Sequence, residues 1–171
     1  AWNDVLPLFK HSENHFAGGS EFHNDSGEWR VEQQRLSWPI LDAFREAAAQ
    51  RGIAKVSDFN QGDNEGCGYF QVNQKAGVRW NAAKAFLKPV RQRTNLTVLT
   101  EVEVDRVLLE NGRACEVVGR RLGQSLSWKA RKEIILCAGS VGSPGILQRS
   151  GIGPSNVLKP LGINVLHELP G

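Results

Sequence analysis

Glu133-Ile134-Ile135-Leu136-Cys137-Ala138-Gly139-Ser140-Val141-Gly142-Ser143-Pro144-Gly145-Ile146-Leu147-Gln148-Arg149-Ser150-Gly151 is the stretch from which the fold is read. Ile134 to Ala138 is continuously apolar, the pattern of a strand covered on both faces inside a sheet. Gly139 and Ser140 then supply a tight turn, Ser143-Pro144 a cap and first helical residue, Ile146 and Leu147 an apolar helix face, and Gly151 a terminator. A buried strand that feeds a helix through a glycine turn belongs to an open α/β sheet, where ligands bind at the carboxyl ends of strands. Cys137, inside that strand, reads as a buried, unreactive thiol.

Working outward, Pro154 to Leu161 reads as a short helix and Ile163 to Leu166 as a strand. On the amino-terminal side, Leu96 to Thr100, Val102 to Leu109, Cys115 to Arg121 and Ser125 to Ala130 read as successive antiparallel strands, with Asn111-Gly112 as a hairpin turn of the favoured hand. Before residue 90 the pattern is different. Asp4 is placed to cap a helix carrying Val5, Leu6, Leu8 and Phe9, in which Pro7 is tolerated only in the first turn. Gly18 to Arg35 reads as loop with one short strand around Trp29 and Val31. Ser37-Trp38-Pro39 opens a helix with Ile40, Leu41, Phe44, Ala47 and Ala48 at helical spacing, closed by Gly52. Gly62 to Gly68 is loop, Tyr69 to Val72 a strand, and Asn81 to Leu87 a short helix that Pro89 stops.

The expected fold class is therefore mixed α/β, with an antiparallel meander inserted beside a Rossmann-like unit, and a change of organisation near residue 90. With 171 residues, 40% of them hydrophobic and 23% charged, the chain suits one domain or parts of two, and disordered or coiled-coil classes are excluded. No apolar run is long enough to span a membrane. Cys67, Cys115 and Cys137 have neither the even number of a disulfide framework nor zinc-site spacing, which points to a reducing, cytoplasmic setting, with membrane association of a parent protein left open. The net charge of +3 is spread along the chain, and no aromatic platform accompanies the basic groups, so no nucleic-acid partner is expected.

Residues able to do chemistry are few. His11, His15, His23 and His167 are the candidate bases or ligands, but Glu13 and Asn14 between the first two do not make a zinc-protease pattern, and no metal site is expected. Ser140 and Ser143 lack the Gly-x-Ser-x-Gly elbow of hydrolases and serve as turn and cap. No Gly-x-Gly-x-x-Gly or phosphate-binding loop occurs anywhere in the chain.

Gly139 to Gly153, with the Ile134 to Gly139 lead-in and the following Gly162-Ile163 and Leu169-Pro170-Gly171, resembles the second signature of the glucose-methanol-choline flavoprotein oxidoreductases. Asp4 to Lys10, Gly77 to Ala83 and Asn95 to Thr100 resemble further segments of that family in the same order. Gly68-Tyr69-Phe70-Gln71 with Gln74-Lys75 is most similar to the choline and aliphatic alcohol dehydrogenase branch. The resemblance implies a FAD cofactor, a small-molecule alcohol substrate and hydride transfer to flavin N5. It implies that residues 1–90 are substrate-domain or lid material, 91–162 part of a FAD domain, and 163–171 the start of a return to the substrate domain. Val104 aligns with the family valine whose backbone meets the adenine end of FAD. Ala138 and Gly139 are the next cofactor candidates, because a turn without bulky side chains lets backbone approach a ribose or phosphate. No histidine here matches the family's catalytic one, so no catalytic residue is assigned. The chain then reads as an inactive internal segment that self-associates through exposed apolar sheet. The competing reading is a non-catalytic β-rich binding module or a degenerate remnant.

Overall fold

The computed structural model describes residues 1–170 and divides into two compact units, Ala1–Thr97 and Val98–Gly171. In the first, α1 (Trp2–Ser12) runs directly into β1 (Glu13–His15), which pairs in parallel with β2 (Trp29–Val31). Gly27 lets the chain cross itself here: a Cβ would sit 2.3 Å from the Ser12 carbonyl, and the Gly27 amide donates to the Glu13 carbonyl at 2.8 Å. The helix begins at Trp2 rather than behind Asp4, so Asp4 is its third residue and Pro7 lies beyond the first turn. The cost is one missing bond, to the Asn3 carbonyl.

Next, α2 (Pro39–Gln50) starts on Trp38 as cap, with Pro39 supplying a preset φ, and ends at Gly52 in the left-handed region. Only Ala48 of its apolar residues is buried, while Ile40 and Phe44 face outward. The expected strand Tyr69 to Val72 does not form. The Val56 amide donates to the Cys67 carbonyl and the Cys67 amide to the Ala54 carbonyl, and Gly68 packs so closely that a Cβ would lie 2.0 Å from the Val56 carbonyl. That leaves Val72 alone to bridge Glu32. A small hairpin follows instead, β3 (Gln74–Lys75) against β4 (Val78–Arg79). Ala83–Leu87 is a π-helical turn continuing into α3 (Lys88–Val90), so Pro89 sits inside a helix and does not stop it. Asn81 caps this element as expected, its Oδ1 accepting from the Lys84 amide at 3.0 Å. Phe86 stacks on Trp29 at 5.7 Å and 9°.

The second unit is built on the meander β5 (Val102–Glu110), β6 (Arg113–Arg121) and β7 (Gln124–Lys129), in that spatial order. Asn111-Gly112 turns with φ of 51° and 77°, the hand that matches strand twist. Leu96 to Thr100, expected as a further strand, is irregular. After the meander come α4 (Gly139–Arg149), β8 (Ile152–Gly153), α5 (Ser155–Leu158) with a 3₁₀ turn at Lys159–Leu161, and β9 (His167–Glu168). The terminal strand thus begins only after the expected Ile163 to Leu166 span. The Leu166 and His167 amides both donate to the Gly151 carbonyl, which fixes the parallel pairing of β9 with β8. Leu158 is wholly buried beneath this turn.

Two features of the deciding stretch differ from expectation. Ile134 to Ala138 forms no strand, with Ile135 75% exposed and Cys137 exposed rather than buried. A parallel strand exists only by bonding to neighbours, and among the described residues none flanks this segment. In addition, α4 begins a turn before Ser143-Pro144. Pro144 lies within the helix, and the Ser143 Oγ reaches back to accept the Ala138 amide at 3.0 Å. Among the described residues no helix is long and apolar enough to cross a membrane.

The β6–β7 turn, Leu122-Gly123, adopts φ of 50° and 79°, so a leucine occupies a left-handed position with its side chain in solvent. That conformation costs an ordinary L-residue about 1 kcal/mol, and asparagine tolerates it. Leu122→Asn is expected to raise stability by roughly 0.5–1 kcal/mol, read as a higher urea midpoint at unchanged slope. A lower midpoint would show that the leucine makes contacts worth more than the strain.

Candidate functional site

The first unit gathers His15, His23 and Asp58, which are 4%, 5% and 6% exposed. His15 ends β1, His23 follows the Gly18-Gly19 loop, and Asp58 lies in the loop after α2. The Ala17 amide donates to His15 Nδ1 at 3.3 Å, which puts the ring hydrogen on Nε2, facing Gln71 Oε1 at 3.2 Å. His23 lies between two carboxylates. Its Nδ1 is 2.9 Å from Glu13 Oε2, and its Nε2 is 3.0 Å from Asp58 Oδ2, close enough for attraction although out of line for a hydrogen bond. Burial pushes the Asp58 carboxyl up, but the Asn60 amide, Gln71, the facing His23 and Gln61 outweigh it and hold the group below its usual range. Three separate segments are thereby tied at one point.

Sequence reasoning considered His11 with His15 and missed Glu13, His23 and Asp58 as partners. The only signal was two histidines flanking a glycine-rich loop. His11 and His167 are exposed and outside the cluster. His15, His23 and Asp58 offer three donor atoms within 4.8 Å of one another, the set a divalent ion could use. Their geometry serves bonding among themselves instead. The two rings are stacked at 4.2 Å and 19°, so their in-plane lone pairs do not converge on one point.

A cavity of about 930 Å³ in the same unit is lined by Arg30, Arg35, Lys75, Trp80, Lys84 and Lys88, among others. Arg30 is paired with Glu32, whereas Arg35, Lys75, Lys84 and Lys88 have no carboxylate within 4 Å among the described residues. Glu28 and Glu32 also line it, so five basic side chains share the wall with two carboxylates.

The cofactor candidates lie in the second unit. Val104 stands on β5, the edge strand of the meander. Opposed residues of an antiparallel pair alternate between bonded and non-bonded. The two-residue turn closes β6–β7 at the bonded pair Arg121–Gln124, so Gly119, two residues back, bonds to Leu126 on β7. Gly119 is opposite Val104 and has no backbone group left for it. The N–H and C=O of Val104 therefore point off the free edge. Val107 shows the same outward direction, donating its amide to Ser150 Oγ at 2.8 Å. Ala138 and Gly139 are exposed at the amino-terminal end of α4; nothing lies within 4 Å of where a Gly139 side chain would start, and its φ of 84° favours glycine. Arg149 and Ser150 cover the Val104 and Asp105 carbonyls and the Val107 amide, which leaves the outward Val104 amide and the open glycine turn as the backbone that fits a flat, polar-edged adenosine moiety.

The family model for GMC oxidoreductase matches residues 1–169. The chain belongs to the GMC oxidoreductase family. Among curated relatives of this GMC chain, human mitochondrial choline dehydrogenase is 40% identical over 97% of it, and an oxygen-dependent choline dehydrogenase of Rhizobium etli is 38% identical over all of it. The chain spans 28% and 31% of those two proteins. Among solved structures, pyridoxine 4-oxidase from Mesorbium loti superposes with a TM-score of 0.88 at 34% identity, over 99% of this chain and 34% of that one. A FAD-dependent oxidoreductase from Chaetomium thermophilum gives 0.89 at 28% identity, over 99% and 32%. The resemblance read from Gly139 to Gly153 and the mixed α/β class are thus both borne out.

The Asp58 environment predicts an acid response. A group whose folded pKa is depressed contributes stability above its unfolded pKa and loses that contribution as pH falls through the folded value. Resistance of the chain to urea is expected to fall steadily from about pH 5 downward, and Asp58→Asn is expected to flatten that acid limb while lowering stability at neutral pH. Equal acid slopes for the two proteins would remove Asp58 from the account.

Proposed function

We propose that the chain is an internal segment of a FAD-dependent oxidoreductase acting on the CH–OH group of a small alcohol, choline-like or aliphatic. FAD, when bound, supplies the hydride acceptor at flavin N5. The residues of this chain supply one wall of the adenosine side: Val104 through its outward N–H, and Ala138 and Gly139 through backbone that no bulky side chain covers. The observation that carries this reading is the direction of the Val104 backbone, which the β6–β7 register dictates independently of any resemblance. Residues 1–90 are substrate-domain and lid material, 91–162 FAD-domain material, and 163–171 the return toward the substrate domain.

No residue here is given proton abstraction, and the segment alone is inactive. A choline headgroup is not assigned to the cavity of the first unit, where five basic side chains outnumber two carboxylates. A free-standing β-module is the weaker reading, because Arg149 and Ser150 of the signature bond the edge of β5 and join the meander to α4.

Addition of millimolar ADP to the isotope-labelled chain is expected to shift the amides of Val104, Ala138 and Gly139 and leave those of Gln124–Lys129 in place. Silence at all three overturns the adenosine assignment. FAD is expected to separate from the chain on gel filtration, and a chain that stayed yellow would hold a fuller cofactor site than proposed. Self-association is supported by the exposure of Ile135 and Val141; sedimentation is expected to show dimers or larger species, and a single monomer boundary at micromolar concentration would count against it.

A further inference from the structure

The adenosine edge needs a particular register, and the chain places an irregularity beside it. The β5–β6 ladder runs Val104 opposite Gly119 and then Arg106 opposite Val118, so Asp105 is an extra residue, a bulge. A slip of one residue at that bulge would turn Val104 inward and present Glu103 or Asp105 backbone in its place. On the outer side, the Asp105 carbonyl accepts from Arg149 Nε at 2.7 Å, and the Val104 carbonyl accepts a longer bond from the same guanidinium at 3.4 Å. Asp105 Oδ1 lies 3.5 Å from Arg149 Nε, and the Asp105 carboxylate also pairs with Arg106. One planar fork thus spans two consecutive carbonyls at the point where the ladder is out of step.

We propose that Arg149 is a positioning residue for the adenosine edge: it holds the Asp105 bulge in the one register that turns the Val104 amide off the sheet. The proposal rests on the adenosine reading above for its function, but its structural half does not. The buried Ser150 anchors the helix end, with its Oγ accepting from Val107 and donating to the Ile146 carbonyl at 2.7 Å. Arg149 is half-exposed, and its work is local to the bulge. Lysine would keep the charge but cannot bridge two carbonyls with a fixed fork.

The test compares wild type, Arg149→Met and Arg149→Lys in the 171-residue chain, reading thermal stability, amide hydrogen exchange along Val102–Val107 and ADP affinity from the Val104 amide shift. In wild type the Val104 amide exchanges fast and the Glu103 amide slowly, as the outward and inward directions require. In both variants the two rates are expected to converge and ADP to bind roughly tenfold more weakly, with little change in melting temperature. Unchanged exchange and unchanged ADP affinity would overturn the role of Arg149 and leave the adenosine reading intact. Converged exchange in the variants together with an ADP-silent wild type would overturn the adenosine reading alone. A large fall in melting temperature with the exchange contrast preserved would make Arg149 a general support of the fold and refute the proposal.

Discussion

The bond from the Val107 amide to Ser150 Oγ is the constraint on which the second unit depends. It is buried, it joins the edge of the meander to the end of α4, and the same hydroxyl passes a hydrogen bond to the Ile146 carbonyl one turn back. Without it, the outward Val107 amide would lie unpaired in the interior, at a cost of about 1–3 kcal/mol, while the Ile146 carbonyl would keep its bond from the Ser150 amide at 3.0 Å. Gly151 has to follow at once. Its positive φ turns the chain under the helix, and a Cβ there would come within 2.4 Å of the Asn164 carbonyl. The signature sequence is therefore a mechanical joint: the helix terminator, the strand anchor and the two-strand pairing of β8 with β9 are consecutive residues of one run.

The first unit is held by different means. Its apolar residues are poorly covered, and what closes it is the polar cluster in which Glu13, His23 and Asp58 meet, with the His15 ring stacked beside them. The Asn60, Gln61 and Gln71 groups complete the Asp58 shell, while His23 Nε2 has only its close electrostatic contact with Asp58 and no aligned hydrogen bond. The glycine at position 27 and those at 66 and 68 permit the close backbone crossings that bring the three segments together.

What was legible in the sequence follows from the range of the forces involved. Asn111-Gly112 announces its turn because two adjacent residues suffice to set the backbone, and Pro39 with Gly52 brackets α2 for the same reason. Leu122-Gly123 makes the same turn unannounced, since strand registration on both sides overrides the leucine's own preference. The buried cluster was invisible: Glu13 and His23 are joined across a loop, and Asp58 arrives from beyond α2, so no local period marks them. Val104 came from the family resemblance rather than from pattern, and the register of β6 supplies its physical reason afterwards.

The Ile134 to Ala138 segment is where pattern and surroundings disagree most. Its composition belongs to a strand with neighbours on both edges and cover on both faces, whereas Ile135 and Cys137 face solvent and the backbone is unpaired. An apolar run with free N–H and C=O on both sides is also a template for any strand that can reach it. The same segment leads into Gly139 and the start of α4, so whatever pairs with it also sets the position of that glycine turn.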